Sequence, residues 1–292
     1  MPLEIEPLHP MFAARIHGAD LRNVDDAGMV AEIKAALAKY AVCAIGHEAP
    51  LTDEEHIRFA RILGPMERST KKIAGTEKRV PFSEIVDQSN LDETGEIYAD
   101  DDRRLAFKRA NRLWHTDMSF YEVRATYSLL SAHVVPPAGG ETEFVDMRAV
   151  CDALPPPLVA ELERFTGEHC YWYSRKLGGG PDPTAEERAS RPPARHPLVH
   201  VHAPSGRKAL YIASHVSHIV GMPADSSSLL LGELMAYATE KRFVYAHKWR
   251  LGDVLIWDNL STMHRATEFD DRKYKRDMRR ATCREREIGQ AA

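Results

Sequence analysis

His115-Thr-Asp117 is the sole His-x-Asp or His-x-Glu arrangement in the 292-residue chain. On a strand, residues i and i+2 share a face, so the imidazole and the carboxylate would converge on one ion. A second imidazole completes the two-His, one-carboxylate set that leaves three positions open on iron. His264 is best placed, just past the apolar run Asp253–Asp258, in a turn opened by Asn259. The bland alternative is chance, since the chain holds 14 His and 43 acidic residues.

A second chemistry-bearing group is Lys275-Arg276-Asp277-Met278-Arg279-Arg280-Ala281-Thr282. Read as a strand, Arg276, Met278, Arg280 and Thr282 share one face and Arg279 takes the other. The two same-face guanidiniums then lie roughly 13 Å apart, at about 3.3 Å per residue. Inward arginines are costly to bury unpaired, and carboxylates match their fork. One partner would be the distal carboxylate of 2-oxoglutarate, whose other end chelates Fe(II). The second would be the acid group of the substrate. The competing reading is a solvated basic edge strand.

Thr142, in Gly139-Gly140-Glu141-Thr142-Glu143-Phe144, offers a hydroxyl to the cosubstrate carboxylate, although a strand threonine is otherwise unremarkable. Asn111 and Trp114 flank the metal motif and are candidates for the pocket lining, with plain core as the alternative for Trp114. Trp257, on the apolar run before His264, is a further pocket candidate. His200, His202, His215 and His218 form a cluster in sequence. Structural histidines are the commoner outcome, and only His202 and His215 are kept as pocket candidates.

These side chains need a scaffold. Residues 25–40 carry an acidic start and apolar residues at helical spacing, which predicts an amphipathic helix. A strand over Ala41 to Ile45 follows. Thr52 and Glu55 make a capping-box pattern ahead of a second helix. Residues 68–110 are polar without clear periodicity, which predicts a lid or binding loop, with disorder as the other option. From about residue 111, short segments such as ATYSLLSAHVV, ETEFVDM, LVHVHA, KALYIAS, FVYAHKWR, DVLIWDN and MRRATCR read as strands of an antiparallel sandwich or barrel. Helices are expected around 148–165 and around 225–240, the latter capped by Asp225 or Ser226. The Gly- and Pro-rich stretch 174–197 is a second candidate flap. The fold class is α+β, mainly β: a jelly roll with flanking helices in one domain spanning 1–292.

Composition fits a globular enzyme, with 43% hydrophobic and 28% charged residues. A net charge of −4 gives no pull toward nucleic acid or an anionic membrane. No apolar run approaches the roughly 20 residues of a membrane span. The N-terminal stretch lacks a signal-peptide layout. Cys43, Cys151, Cys170 and Cys283 are scattered, which predicts reduced, mostly buried thiols in a cytoplasm.

Trp114-His115-Thr116-Asp117, Gly139-Gly140-Glu141-Thr142, Trp257-Asp258-Asn259 with His264, and Arg276-Asp277-Met278-Arg279-Arg280-Ala281-Thr282 occur in order. Together they resemble the taurine dioxygenase/2,4-dichlorophenoxyacetate dioxygenase family from about residue 3 to 285. The Asn111–His115 and Ser131–Met147 stretches look closer to the 2,4-dichlorophenoxyacetate branch. The resemblance implies a double-stranded β-helix and iron ligation by His115, Asp117 and His264. It assigns Thr142 and Arg276 to 2-oxoglutarate, and Arg280 to the substrate acid or to the cosubstrate carboxylate near iron. It also implies O₂ as co-reactant, a homo-oligomer, and hydroxylation of the carbon α to an aryloxyalkanoate carboxylate. Residues 68–110 have no match in the resemblance, and they bear on substrate choice.

Two rivals stand beside this reading. One is a taurine-type sulfonate dioxygenase with the same iron and cosubstrate. The other is a cupin-like binder of metal or small acids without turnover, against which Arg276 and Thr142 argue. A nucleic-acid-binding reading rests on residues 272–284 alone and is poor.

Overall fold

A computed structural model describes residues 2–68, 79–99, 102, 104–105 and 109–287. From the N-terminus run β1 (Glu4–Pro7), β2 (Ala14–His17), α1 (Ala27–Tyr40), β3 (Val42–Gly46), α2 (Asp53–Leu63) and β4 (Ile85–Asp87). A 3₁₀ turn at Ala110–Arg112 precedes the His115 segment. Next come β5 (Ala125–Val134), β6 (Thr142–Asp146), α3 (Met147–Ala153), α4 (Pro156–Leu162) and β7 (Thr166–His169). Then follow α5 (Tyr171–Leu177), α6 (Ala185–Ser190), β8 (Ala194–Pro197), β9 (Val199–His202), β10 (Arg207–Leu210) and β11 (Val216–Ile219). The remainder is α7 (Ala224–Ala238), β12 (Val244–His247), β13 (Asp253–Asp258), β14 (Thr262–Ala266) and β15 (Asp277–Arg284).

The molecule is mainly β with several helices. Its large sheet has the order β1-β2-β3-β13-β5-β15-β4, and a second sheet has the order β12-β6-β14. All pairings are antiparallel except β2 with β3. Two smaller sheets, β11-β7-β8 and β9-β10, complete it. Alternation along each strand sorts the side chains. Leu255 and Trp257 of β13, Leu130 of β5 and Met278 of β15 share one apolar cluster with Phe144 of β6. Val254, Ile256, Leu129, Ala281 and Cys283 face the other way, against Ile33, Leu37, Ile57 and Phe59 of α1 and α2. A third cluster packs α3, α4 and α7 against β9, β10, β11 and the outer face of the second sheet. Because β13 is covered on both faces, it reads as a continuous apolar run and not as an alternating one.

Several local expectations need correction. The helix expected at 148–165 is two, α3 and α4. Pro155 and Pro156 interrupt it by holding their predecessors Leu154 and Pro155 extended, while Pro156 and Pro157 then open α4, where a missing amide hydrogen costs nothing. The helix expected at 225–240 begins at Ala224, with neither Asp225 nor Ser226 as cap. Ala41 is outside its strand, closing α1 with φ of 61°. The 174–197 flap contains the end of α5, all of α6 and β8. Within 68–110, residues 79–99 supply β4, and most of the remainder lies outside the described residues. The capping box at Thr52 and Glu55 is present on α2. Cys43, Cys151 and Cys283 are buried free thiols, and Cys170 is partly exposed.

The segment 79–99 is anchored where it meets the start of β15. The Arg79 guanidinium donates to both carboxylate oxygens of Asp277 at 2.7 Å, and also to Asp87. Asn90 Oδ1 accepts from the Arg276 amide at 2.7 Å, and its Nδ2 donates to the carbonyls of Asp271 and Tyr274.

His56, on the inner face of α2, is 1% exposed. Burial, then the neighbouring His133, pushes its imidazole down to about 3 from 6.5. The folded state therefore refuses a proton that the unfolded chain accepts below pH 6.5. Its contribution is intact above that pH and is lost as pH falls toward 3. At pH 5 this amounts to about 2 kcal/mol, at 1.36 kcal/mol per pH unit. Urea unfolding at pH 7 and pH 5 should show His56→Gln losing about that much less than the parent. An equal loss in both would remove His56 as the cause.

Candidate metal centre

Three segments meet at one point. His115 and His264 pair across an antiparallel bridge, with the His115 amide donating to the His264 carbonyl at 2.9 Å and the reverse bond at 2.7 Å. Asp117 follows two residues on. One ligand atom from each of His115, Asp117 and His264 lies within 4.8 Å of the others, and all three residues are buried. Among the described residues this is the one such group.

Protonation suits a metal. His115 Nδ1 lies 2.7 Å from the Leu113 carbonyl, which fixes the proton there and leaves Nε2 as a lone-pair donor. Burial lowers the affinity of His115 for a proton, against the pull of Asp117. Burial also holds His264 well below its ordinary value, helped by the adjacent His115. Both imidazoles are therefore neutral near pH 7, as ligation requires. Burial alone would raise the Asp117 carboxyl. Arg280, then His264, His115 and the Ser128 hydroxyl outweigh it and hold the group down to about 2.

A polar frame aims the carboxylate. Ser128 Oγ donates to Asp117 Oδ2 at 2.7 Å, and Arg280 Nη1 donates to Oδ1 at 2.5 Å. Asn259 Oδ1 accepts from the Asp117 amide and from Trp257 Nε1, while its Nδ2 donates to Ser128. The register explains the convergence: Ser128 on β5 lies between Trp257 on β13 and Thr282 on β15. Sequence reading missed Ser128 and the role of Asn259. A hydroxyl inside an apolar strand was the available signal.

The arginine strand is not a solvated edge, because β15 runs between β5 and β4. Arg279 points toward α2 and binds Asp53 at 2.8 Å, opposite to Arg280. Arg276 is 8% exposed, and burial lowers its guanidinium to about 10. Among the described residues no carboxylate pairs with it. Its Nη2 reaches the Gly140 carbonyl at 3.3 Å, its Nη1 reaches the Gln88 carbonyl at 3.4 Å, and its Nε lacks a partner. Gly139 and Gly140 both adopt positive φ, which glycine tolerates freely. A Cβ on Gly140 would stand 3.4 Å from Arg276 Nε. The chain thus turns close beneath a buried cation.

Thr142 leads out of that turn on β6. Trp249 Nε1 donates to its hydroxyl at 3.1 Å, leaving the threonine proton to donate elsewhere. Thr142 shares a face with Phe144, which stacks on His264 at 5.9 Å.

The remaining candidates divide. Trp257 lies 4.8 Å from the His264 ring and His215 lies 6.1 Å from the His115 ring, centroid to centroid. Asn111 donates to the side chain of Gln88, and the Gln88 backbone carbonyl meets Arg276. His202 is directed away, bonded to Asp258 at 2.8 Å and to Ser205. Trp114 packs on the third apolar cluster with the Arg265 guanidinium over its ring.

The residues fit an iron centre of the 2-oxoglutarate kind. Two neutral imidazoles and one carboxylate leave open positions, and the unpaired buried guanidinium suits a diacid. Comparison with known proteins agrees. A profile described as taurine catabolism dioxygenase TauD, TfdA family matches residues 4–282. The chain is 42% identical over 282 residues to the alpha-ketoglutarate-dependent 2,4-dichlorophenoxyacetate dioxygenase of Cupriavidus pinatubonensis, covering 97% of this chain and 98% of that one. It is 33% identical to the (S)-phenoxypropionate/alpha-ketoglutarate-dioxygenase of Sphingobium herbicidovorans, over 91% and 90% of the two chains. The crystal structure of AAD-2 in complex with Mn(II) and N-oxalylglycine superposes with a TM-score of 0.90 at 40% identity, covering 97% and 98%. This chain belongs to the TauD/TfdA dioxygenase family.

Proposed function

We propose that the protein is an Fe(II)- and 2-oxoglutarate-dependent dioxygenase that hydroxylates the carbon α to the carboxylate of an aryloxyalkanoic acid such as 2,4-dichlorophenoxyacetate. One oxygen atom of O₂ enters the substrate, the other enters succinate, and the cosubstrate loses CO₂. With a phenoxyacetate the product is a hemiacetal. Its bond from the α carbon to the ether oxygen breaks, giving a phenol and glyoxylate. The observation that carries this reading is the meeting of His115, Asp117 and His264 with the Arg280 guanidinium, together with the buried Arg276 guanidinium that no carboxylate pairs among the described residues. Substrate class follows the phenoxy acids named for the two relatives above. The large and second sheets are read as the two walls of a double-stranded β-helix, in a single domain of a cytoplasmic homo-oligomer.

Each side chain has a task. His115, Asp117 and His264 would hold iron, which when bound supplies O₂ activation and oxidising power. Arg276 and the Thr142 proton bind the distal carboxylate of 2-oxoglutarate. Arg280 engages Asp117 through Nη1, while its Nε has no partner among the described residues. Its remaining N–H edge can therefore take the substrate carboxylate and aim the neighbouring carbon at the metal. The buried surround keeps water from the reacting atoms.

Succinate release tests this directly. Phenoxyacetates should drive it and taurine should not. In Arg280→Ala, the KM for the aryloxy acid should rise about thirtyfold, roughly 2 kcal/mol, with a much smaller change for 2-oxoglutarate. Equal damage to both would refute the assignment of Arg280 to the substrate.

A further inference from the structure

Phe120, Tyr121 and Tyr171 belong to none of the three apolar clusters. They nevertheless form a connected aromatic group. The Phe120 ring lies 4.8 Å from Tyr121, 5.0 Å from Tyr171 and 5.0 Å from His215, centroid to centroid. His215 in turn stands edge-on to the His115 ring. The group thus extends from the metal ligands outward.

The backbone is bent to put it there. Met118, directly after Asp117, is buried and adopts φ of 59°. A left-handed conformation is costly for a side chain of that size and persists where a site requires it. It turns the chain sharply between the metal ligand and Phe120. Phe120, with Tyr121, also lines an open groove of about 1040 Å³ that mixes apolar residues such as Met66, Val123 and Pro193 with charged ones such as Glu67, Arg68 and Arg284.

On another side of Phe120 stands α5, through Tyr171. Its Tyr171 ring carries the Arg175 guanidinium at 4.8 Å and that of Arg191 at 4.2 Å, contacts that hold an aromatic ring in place. At the end of the helix, a Cβ on Gly178 would stand 2.8 Å from Ala110. This leaves α5 seated on the turn that leads into His115.

We propose that Phe120, flanked by Tyr171 and His215, is the residue that selects the aryl ring of the primary substrate, with ring substituents directed into the groove beyond. The inference rests on the aryloxyalkanoate reading and deepens it. A substrate carboxylate held by Arg280 leaves the far end of the molecule in need of an apolar, aromatic wall. Edge-to-face and offset contacts between rings then favour an aryl over an alkyl group of similar area.

The test is calorimetric titration of the anaerobic protein loaded with Fe(II) and 2-oxoglutarate. The probes are 4-chlorophenoxyacetic acid and butoxyacetic acid, which share the carboxylate and ether oxygen but differ in the ring. The ratio of the two affinities within one variant cancels any loss of folded or loaded protein. Phe120→Leu should lower the aryl-to-alkyl ratio at least tenfold, and Phe120→Tyr should restore most of it. Should Phe120→Leu fail to fold, Tyr171→Leu, on a separate helix, reads the same ratio and should lower it. An unchanged ratio overturns the inference while leaving the aryloxy reading in place. Absence of any aryl preference in the parent protein overturns that reading, and the inference falls with it.

Discussion

His115→Ala should abolish Fe(II)-dependent succinate formation, with a loss of at least about 10³-fold, or about 4 kcal/mol of barrier. The fold should survive. The substitution removes one side-chain bond, from Nδ1 to the Leu113 carbonyl, worth about 1 kcal/mol. The two backbone bonds that tie residue 115 to residue 264 do not depend on the imidazole. Thermal unfolding with and without added Fe(II) separates ligation from folding. The parent protein should gain stability from the metal by mass action, and the variant should gain almost none. Retained activity with an undiminished metal shift would remove His115 from the ligand set.

Arg276→Met should have opposite effects in the free and cosubstrate-loaded protein. A guanidinium buried without a carboxylate costs stability, as its lowering to about 10 by burial records. A methionine of similar length fills the space without a charge. The free variant should therefore be as stable as the parent or more so. With 2-oxoglutarate the order reverses, because a buried charged pair has lost one partner. The KM for the cosubstrate should rise by about 10² or more, equivalent to roughly 3 kcal/mol. Stability curves with and without 2-oxoglutarate, alongside initial rates, read both effects. A variant that is destabilised when free and binds the cosubstrate normally would make Arg276 a structural residue.

The chemistry of this site was more legible in the sequence than its setting. His-x-Asp and alternation along the 275–282 run are short-range patterns. The first named the residues that meet, although His115 sits in an isolated bridge and Asp117 opens a turn, and the two are not on one strand. The second predicted that Arg279 and Arg280 would part. Arg279 opposing Arg280 follows from that period alone. What escaped was whatever depends on partners distant in sequence. Ser128 supports Asp117 only because β5 lies between β13 and β15, and no spacing within 125–134 announces it. Asn90 falls in the stretch expected to be a lid or binding loop, yet it anchors the Arg276 backbone across 186 residues of chain. His202 has the same residue type and burial as the ligands, but it is committed to Asp258. Composition and local pattern cannot separate a histidine satisfied by a carboxylate from one that presents a lone pair.

The strand order has a consequence for synthesis. β5 acquires its neighbours from β13 and β15, which the ribosome delivers more than a hundred residues later. At about 5–20 residues per second, an apolar ribbon with both edges open waits for many seconds in the growing chain. Such a ribbon invites aggregation and the attention of chaperones. The same delay is protective in another respect. On the proposed ligation, no nascent chain that stops short of residue 264 could complete the redox-active ion's cage, so oxidant chemistry would wait until nearly all of the polypeptide is made.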